Sequence, residues 1–381
     1  MTMSKAGLYF HIPFCLKKCA YCDFCSFTGK TDGDMRRYAS ALVKEMEHYA
    51  KQAENTVFDT VFFGGGTPSL LPTDVIAHIL NKANTLFSIE KDAEITLEAN
   101  PATADFEKLS ALRRIGINRL SVGVQSLVDR ELAFLGRLHT SRDALDFLHA
   151  SRQAGFENIN VDLMYGIPAQ TEASARETLS RVLDFAPSHI SAYSLMLEKG
   201  TPLYRQREEL PLPTEEDEDA IDATVRDMLR ANGYEHYEIS NYARPGMESR
   251  HNLHYWRSDE YLGFGVTAYS FFNGARYGNG ADLAAYLADP TASPADCEVL
   301  EEDALAYEWI MLRLRLKEGL SLPEYRARFG VDLKVRYQAE IESFIAAGLM
   351  REERERISLT ESGFRLSNTV LVAFLPDEKN C

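Results

Sequence analysis

The chain has 381 residues, 45% of them apolar, and a formal net charge of −16 from 57 acidic and 41 basic side chains. That length and apolar content suit one large domain plus a smaller one, and the acidic balance opposes general binding to nucleic acid or anionic lipid. No apolar run approaches the ~18 residues of a membrane span, and Met1 to Gly7 is too short and polar for a signal peptide, so a cytoplasmic location is expected.

Up to residue 240, short β-rich runs alternate with amphipathic helical patterns. Strands are expected at Leu8–Ile12, Thr56–Phe63, Glu94–Glu98, Arg119–Val124, Asn158–Leu163 and His189–Leu195. The helical patterns that follow them are Asp34–Lys51, Thr73–Leu86, Ala104–Ile115, Asp129–Leu135 with Ser141–Ala154, Glu172–Phe185 and Glu215–Ala231. Six β/α units in series imply an α/β fold with a parallel sheet and right-handed crossovers, either doubly wound or a complete or partial barrel. Unusual residues recur at the C-terminal ends of these strands: Gly64 to Ser69 (GGGTPS), Glu98-Ala-Asn100-Pro, Gln125-Ser126, Asp162 with Tyr165-Gly-Ile-Pro168, and Tyr193-Ser194. A barrel assembles its active site from these loops, so the pattern favours a barrel.

Residues 232–280 are rich in Tyr, Asn, Gly and His and open with a strand pattern at Glu235–Ile239. His251-Asn252-Leu253-His254-Tyr255-Trp256 suits a flat ligand or a metal; the same composition also describes a buried aromatic cluster whose histidines cap backbone groups. From Glu301 the pattern is helical through Lys334–Ala347, then a hairpin at Met350–Leu359 and a last helix at Thr360–Phe374. This winged-helix-like segment reads as a packing domain or lid, since its acidity does not suit a DNA reader. Among the basic residues Arg113, Arg114, Arg119, Arg137 and Arg142, the first two fit a solvated helix face.

Four of the 6 cysteines lie together at Cys15, Cys19, Cys22 and Cys25; Cys297 and Cys381 are distant. Clustered cysteines without a signal peptide point to metal or redox chemistry rather than disulfides. A structural zinc site would need a second ligand pair further on, and a closed ferredoxin-type site would need C-x3-C-P after Cys25, where SFTGKTDG stands instead. The leading reading among these is a C-x3-C-x2-C set at Cys15, Cys19 and Cys22 that leaves one iron of a cluster open, with Cys25 spare or auxiliary. Tyr9, Phe10, Phe14, Tyr21, Phe24 and Phe27 flank the loop and would shield it from water, or serve as ordinary core. GGGTPS lacks the G-K-[ST] ending of a phosphate loop; beside a metal loop it reads as a platform for a small polar ligand.

HIPFCLKKCAYC, FFGGGTPS, LEANP, GVQS and DLMYGIP, in this order, resemble the radical S-adenosylmethionine enzymes and, within them, the oxygen-independent coproporphyrinogen III oxidase-like branch. The short N-terminus and HNLHYW resemble the HemW heme chaperones of that branch. The resemblance implies a partial (β/α)6 TIM-like barrel over 1–240, an extension or linker carrying HN-x2-YW over 241–300, and a helical C-terminal domain over 301–381. It implies that Cys15, Cys19 and Cys22 hold a [4Fe-4S] cluster whose open iron takes S-adenosylmethionine, the source of a 5′-deoxyadenosyl radical on one-electron reduction. Tyr9, Tyr21, Gly65, Gly66, Thr67, Glu98, Gln125, Arg137 and Asp162 fall on the adenosylmethionine shell. Gly65 and Gly66 would free backbone groups for the methionine amine, Glu98, Gln125 and Asp162 would bind ribose hydroxyls or amine, and Arg137 the carboxylate.

The same resemblance implies heme as cargo, with His251 or His254 as its ligand, respiratory proteins as acceptors, and a reductant such as flavodoxin or ferredoxin. It implies no nucleic acid partner, and membrane association only peripherally, through partners. No residue is assigned a catalytic role. Two other functions compete: radical decarboxylation of coproporphyrinogen III or another porphyrin, and electron transfer by a closed iron–sulfur centre. Against the decarboxylase stand its longer N-terminal extension and its C-x-C after the third cysteine, where this chain has C-x2-C.

Overall fold

A computed structural model describes residues 5–292 and 294–375; Cys381 lies outside them. Six parallel strands in sequential order form the centre of the sheet: β1 (Lys5–Ile12), β2 (Val57–Gly65), β3 (Ser88–Ala99), β4 (Arg119–Gln125), β5 (Asn158–Tyr165) and β6 (His189–Ser194). Between them run α1 (Asp32–Ala50), α2 (Thr73–Leu86), α3 (Phe106–Arg114), α4 (Asp129–Leu135), α5 (Ser141–Gln153) and α6 (Glu172–Phe185). After β6 come α7 (Pro202–Arg205) and α8 (Glu215–Ala231). Thr31, Thr140, Thr171 and Thr214 start α1, α5, α6 and α8 with capping boxes, each satisfying two backbone donors that the helix start leaves free.

Every position of β4 is buried, and β2 is buried throughout its interior, as expected where both faces of a parallel sheet are covered. The two faces differ in kind. Leu8, Phe10, Ile12, Leu97, Leu120, Val122, Ile159, Val161 and Ile190 belong to the apolar core, which they share with Leu42 of α1, Ile79 of α2 and Leu148 of α5. The alternate residues of the strands point inward and are mostly polar, because successive side chains leave a strand on opposite faces.

Two further strands, β7 (Glu235–Glu238) and β8 (Asn241–Ala243), continue the sheet beyond β6, where β8 pairs antiparallel with β6. After α9 (Arg250–Arg257), strand β9 (Tyr261–Phe264) pairs parallel with the free edge of β1. The sheet continues outward through β10 (Tyr269–Phe272), β11 (Ala275–Gly278) and, after α10 (Leu283–Ala288), β12 (Asp296–Val299). β1 and β6 do not pair, so the barrel is partial. Residues 241–300 are therefore sheet, added at both ends of the six-stranded arc, rather than a linker.

The C-terminal part has its own apolar core around Trp309, Ile310, Tyr325, Ile357 and Phe374. It comprises α11 (Glu302–Leu314), β13 (Leu320–Ser321), α12 (Leu322–Phe329), α13 (Leu333–Arg336), α14 (Gln338–Ala346), the hairpin β14 (Met350–Glu353) and β15 (Arg356–Leu359), α15 (Glu361–Arg365) and α16 (Ser367–Val372). Two expected helices are each divided. Tyr337 leaves helical geometry between α13 and α14, where its ring packs on Phe374 at 5.1 Å, and Leu366 does so between α15 and α16.

Candidate functional site

The inward faces of β1 to β6 and the loops at their C-terminal ends enclose a cavity of about 780 Å³. The cysteine loop follows β1 and crosses the mouth. Its base is closed by Phe27 N–H donating to Pro13 O at 2.7 Å and Cys15 N–H donating to Phe27 O at 3.1 Å. Its tip is held by Ala20 N–H on Leu135 O and by Leu203 N–H on Ala20 O. Cys15, Cys19 and Cys22 line the cavity, whereas the Cys25 thiol turns to Ala281 O at 3.8 Å. Phe14 is buried edge-on against Tyr38, but Phe24 is 62% exposed, so it does not shield the loop as expected.

The glycine run is set by close approach. Gly65 lies at φ +111°, and a Cβ there would stand 2.6 Å from the His11 ring; at Gly66 it would stand 2.8 Å from Phe14 O. A side chain at either position would push β2 off the cysteine loop. His11 holds that junction from the other side: Nδ1 pairs with Tyr9 OH at 3.0 Å and Nε2 meets Cys25 O at 3.4 Å. Burial lowers its pKa to about 4, so the ring is neutral. Thr67 Oγ1 sits 3.5 Å from Cys15 Sγ and accepts from Asn100 Nδ2 at 3.0 Å.

The strand-end groups converge here. Glu98 accepts from Gly65 N–H at 3.0 Å; burial, helped by the charge of Asp162, pushes its pKa up to about 8. Asp162 is also raised by burial, opposed by hydrogen bonds from Ser191, Asn160 and Ser121. Gln125 adopts φ 67°, a left-handed conformation uncommon for a residue other than glycine; its Oε1 accepts from Tyr193 OH at 2.8 Å. Arg137 donates to Asn100 Oδ1 and Gly123 O and to Cys19 Sγ at 3.6 Å, setting a cation beside a sulfur.

The two histidines of HNLHYW are neighbours on α9, their rings 6.4 Å apart, but different partners meet them. His251 lines the cavity, stacks on Phe62 at 5.0 Å and bonds Thr60 Oγ1 and Tyr255 OH at 2.8 and 2.9 Å. His254 turns away: Nε2 meets Asp59 at 2.7 Å and Nδ1 meets Asp259 at 3.1 Å. Burial opposes its charge, but these carboxylates prevail and raise its pKa to about 9. Both of its ring nitrogens are taken by carboxylates and the cavity lining does not include it, so of the two histidines expected to meet heme only His251 is placed at the cavity.

The residues present fit a cluster with one open iron. Three thiols share a cavity with a glycine cradle, two carboxylates and a guanidinium, while the fourth thiol is turned out. Among the described residues no three His, Cys, Asp or Glu side chains converge on one ion position, whereas ligands to separate irons must stand apart. Tyr9, Tyr21, Gly65, Gly66, Thr67, Glu98, Gln125, Arg137 and Asp162 all border the same space. Sequence reasoning missed His11, placed Asn100 and Tyr193 at strand ends without giving them a role, and left Arg119 as one basic residue among several.

Residues 9–182 match the radical SAM superfamily model, and residues 300–366 match the HemN C-terminal domain model. Heme chaperone HemW of Lactococcus lactis is 36% identical over 383 residues, covering 100% of both chains. That of Escherichia coli is 33% identical, covering 99% of this chain and 100% of its own. The chain belongs to the HemW family. A mitochondrial relative from Bos taurus, radical S-adenosyl methionine domain-containing protein 1, is 39% identical over 70% of this chain and 61% of its own. Coproporphyrinogen III oxidase (HemN) of Escherichia coli superposes with a TM-score of 0.86 at 23% identity, covering 98% of this chain and 90% of its own; this is the same fold. HemW membership, with the radical SAM model, implies a [4Fe-4S] cluster and S-adenosylmethionine. Among the described residues no helix is long and apolar enough to cross a membrane.

Proposed function

We propose that the chain is a heme chaperone that binds heme and delivers it to respiratory proteins. The observation that carries this reading is likeness along the entire chain to proteins named heme chaperone HemW. Cys15, Cys19 and Cys22 would hold the cluster, and the bound cofactors would supply one-electron cleavage of the adenosylmethionine sulfonium. Gly65 and Gly66 let the backbone approach the methionine end, Glu98 and Asp162 offer carboxylates to its amine or the ribose, Gln125 offers its amide, and Arg137 offers its charge to the carboxylate. Tyr9, Tyr21 and Thr67 pack the same wall and keep water from it.

Of the two HNLHYW histidines, His251 is the one that lines the cavity; to ligate heme iron, Nε2 would release Tyr255. Lys17 and Lys18 on the cysteine loop suit an acidic electron carrier such as flavodoxin or ferredoxin. The site of action would be the cytoplasm, with membrane association only through acceptors. The test is anaerobic reconstitution, then addition of heme or coproporphyrinogen, following binding and adenosylmethionine cleavage together. Stoichiometric heme binding and transfer to a heme-depleted respiratory protein is expected. Conversion of coproporphyrinogen to protoporphyrinogen would overturn the reading in favour of the decarboxylase.

A further inference from the structure

At the N-terminal end of the barrel the cavity has a charged floor. Arg119, the first residue of β4, is 2% exposed yet lines the cavity. Among the described residues its Nε has no hydrogen-bond partner, and its one ion pair there is a distant one, with Glu94 at 4.0 Å. Glu94 is itself committed elsewhere: its carboxylate accepts the backbone N–H groups of Arg250 and His251, at 3.3 and 3.2 Å, where α9 begins. The other carboxylates of the cavity, Glu98 and Asp162, stand toward the strand ends and hold their own donors, Gly65 N–H, Asn160 Nδ2 and Ser121 Oγ.

Arg137 makes the contrast plain, since it is tied to Asn100, Gly123 and Cys19. A buried guanidinium without good partners is costly, and its planar fork is shaped for one carboxylate. Between this floor and the mouth, Tyr9, Phe62, Met164 and Tyr255 give the cavity an apolar wall suited to a flat ring.

We infer that Arg119 anchors a carboxylate of the molecule carried in the cavity, a porphyrin propionate, and so sets how deeply and in which orientation the ring lies. This rests on the heme-binding reading above. The other carboxylate available to the cavity is that of S-adenosylmethionine, and the experiment separates the two.

The full-length reconstituted protein is titrated with protoporphyrin IX and with its dimethyl ester, following porphyrin absorbance and fluorescence; S-adenosylmethionine affinity is measured by calorimetry. Wild type is expected to bind the diacid about tenfold or more tightly than the ester, the scale of one charge-assisted pair. Arg119→Gln should erase that preference by weakening the diacid alone, and leave adenosylmethionine affinity within about twofold. Arg119→Lys, which keeps the charge without the fork, should fall between. Equal binding of diacid and ester by wild type overturns the anchor without any variant, so a poorly folding variant does not shelter the idea. A diacid preference that survives Arg119→Gln also overturns it. Loss of adenosylmethionine instead of porphyrin affinity moves the carboxylate to the cofactor and overturns the porphyrin assignment. Failure of wild type to bind either porphyrin overturns the anchor, whereas failure to bind heme, which can also be held through its iron, sinks the heme-binding reading itself.

Discussion

The same six strands present two unlike surfaces. Toward the helices they show Leu8, Phe10, Ile12, Leu120 and Val161, fully buried and apolar. Toward the cavity, one residue along, they show Tyr9, Glu98, Arg119, Asn160 and Asp162, with His11 beneath the cysteine loop. The outer face gains from apolar burial, on the order of 25 cal/mol per Å². The inner face bears the cost of holding polar groups out of water, seen in the depressed His11 and the elevated Glu98. Stability and ligand recognition are thus separated by a single step in sequence, and mutations one residue apart should fail differently.

The largest expected effect is on the cysteine loop. Cys22→Ala should drop iron from about four atoms per chain to near zero after anaerobic reconstitution, with the thermal transition of the apoprotein unmoved. Retention of full iron and the cluster absorbance would break the assignment. On the outer face, Phe10→Ala should cost about 3–5 kcal/mol in denaturant unfolding, without changing the cluster spectrum of the protein that remains folded. If it instead removed the cluster selectively, the two surfaces would not be separable.

Two pH dependences sharpen the contrast. Glu98 is neutral below about 8, so binding a cationic amine beside it must expel a proton. Adenosylmethionine affinity should rise with pH and level off above about 8, and calorimetry in buffers of different ionisation enthalpy should detect proton release; Glu98→Gln should abolish both. His254 works in the opposite sense. Its folded pKa of about 9 lies above its ordinary 6.5, so its contribution to stability is complete below 6.5 and fades as pH rises through about 9. Unfolding measured across that window should show the decline in wild type and a flatter profile in His254→Gln. The smallest effect belongs to Cys25→Ala, which should keep cluster and fold alike, because that thiol faces Ala281 rather than the cavity.

Much of this was readable from sequence because the signals are local. The expected Thr73–Leu86, Asp129–Leu135, Glu172–Phe185 and Glu215–Ala231 coincide with α2, α4, α6 and α8, and capping threonines mark the starts of α6 and α8. Cys15, Cys19 and Cys22 carry their chemistry in their spacing. The roles of His11, Arg119 and the HNLHYW histidines were not legible. His11 acquires its function by meeting a glycine of the next strand, Arg119 by what Glu94 does at the start of α9, and His254 by Asp59, 195 positions away. Such meetings are products of register and topology, which no short window of sequence contains. Residues 241–300 read only as an extension or linker for a related reason: strands of three or four residues leave little periodicity to read.

The two ends of the six-stranded arc, which do not pair with each other, carry one more consequence. A closed barrel has its bore dictated by strand number and stagger. Here β1 and β6 are joined to β9 and β8 instead of to each other, so no such rule fixes the circumference. The aperture is then an independent variable, set by a late stretch of chain. Insertions between β6 and β12 can widen or narrow the chamber while the cysteine loop and the strand ends opposite keep their spacing, which separates the dimensions of the cargo hold from the alignment of the chemistry above it.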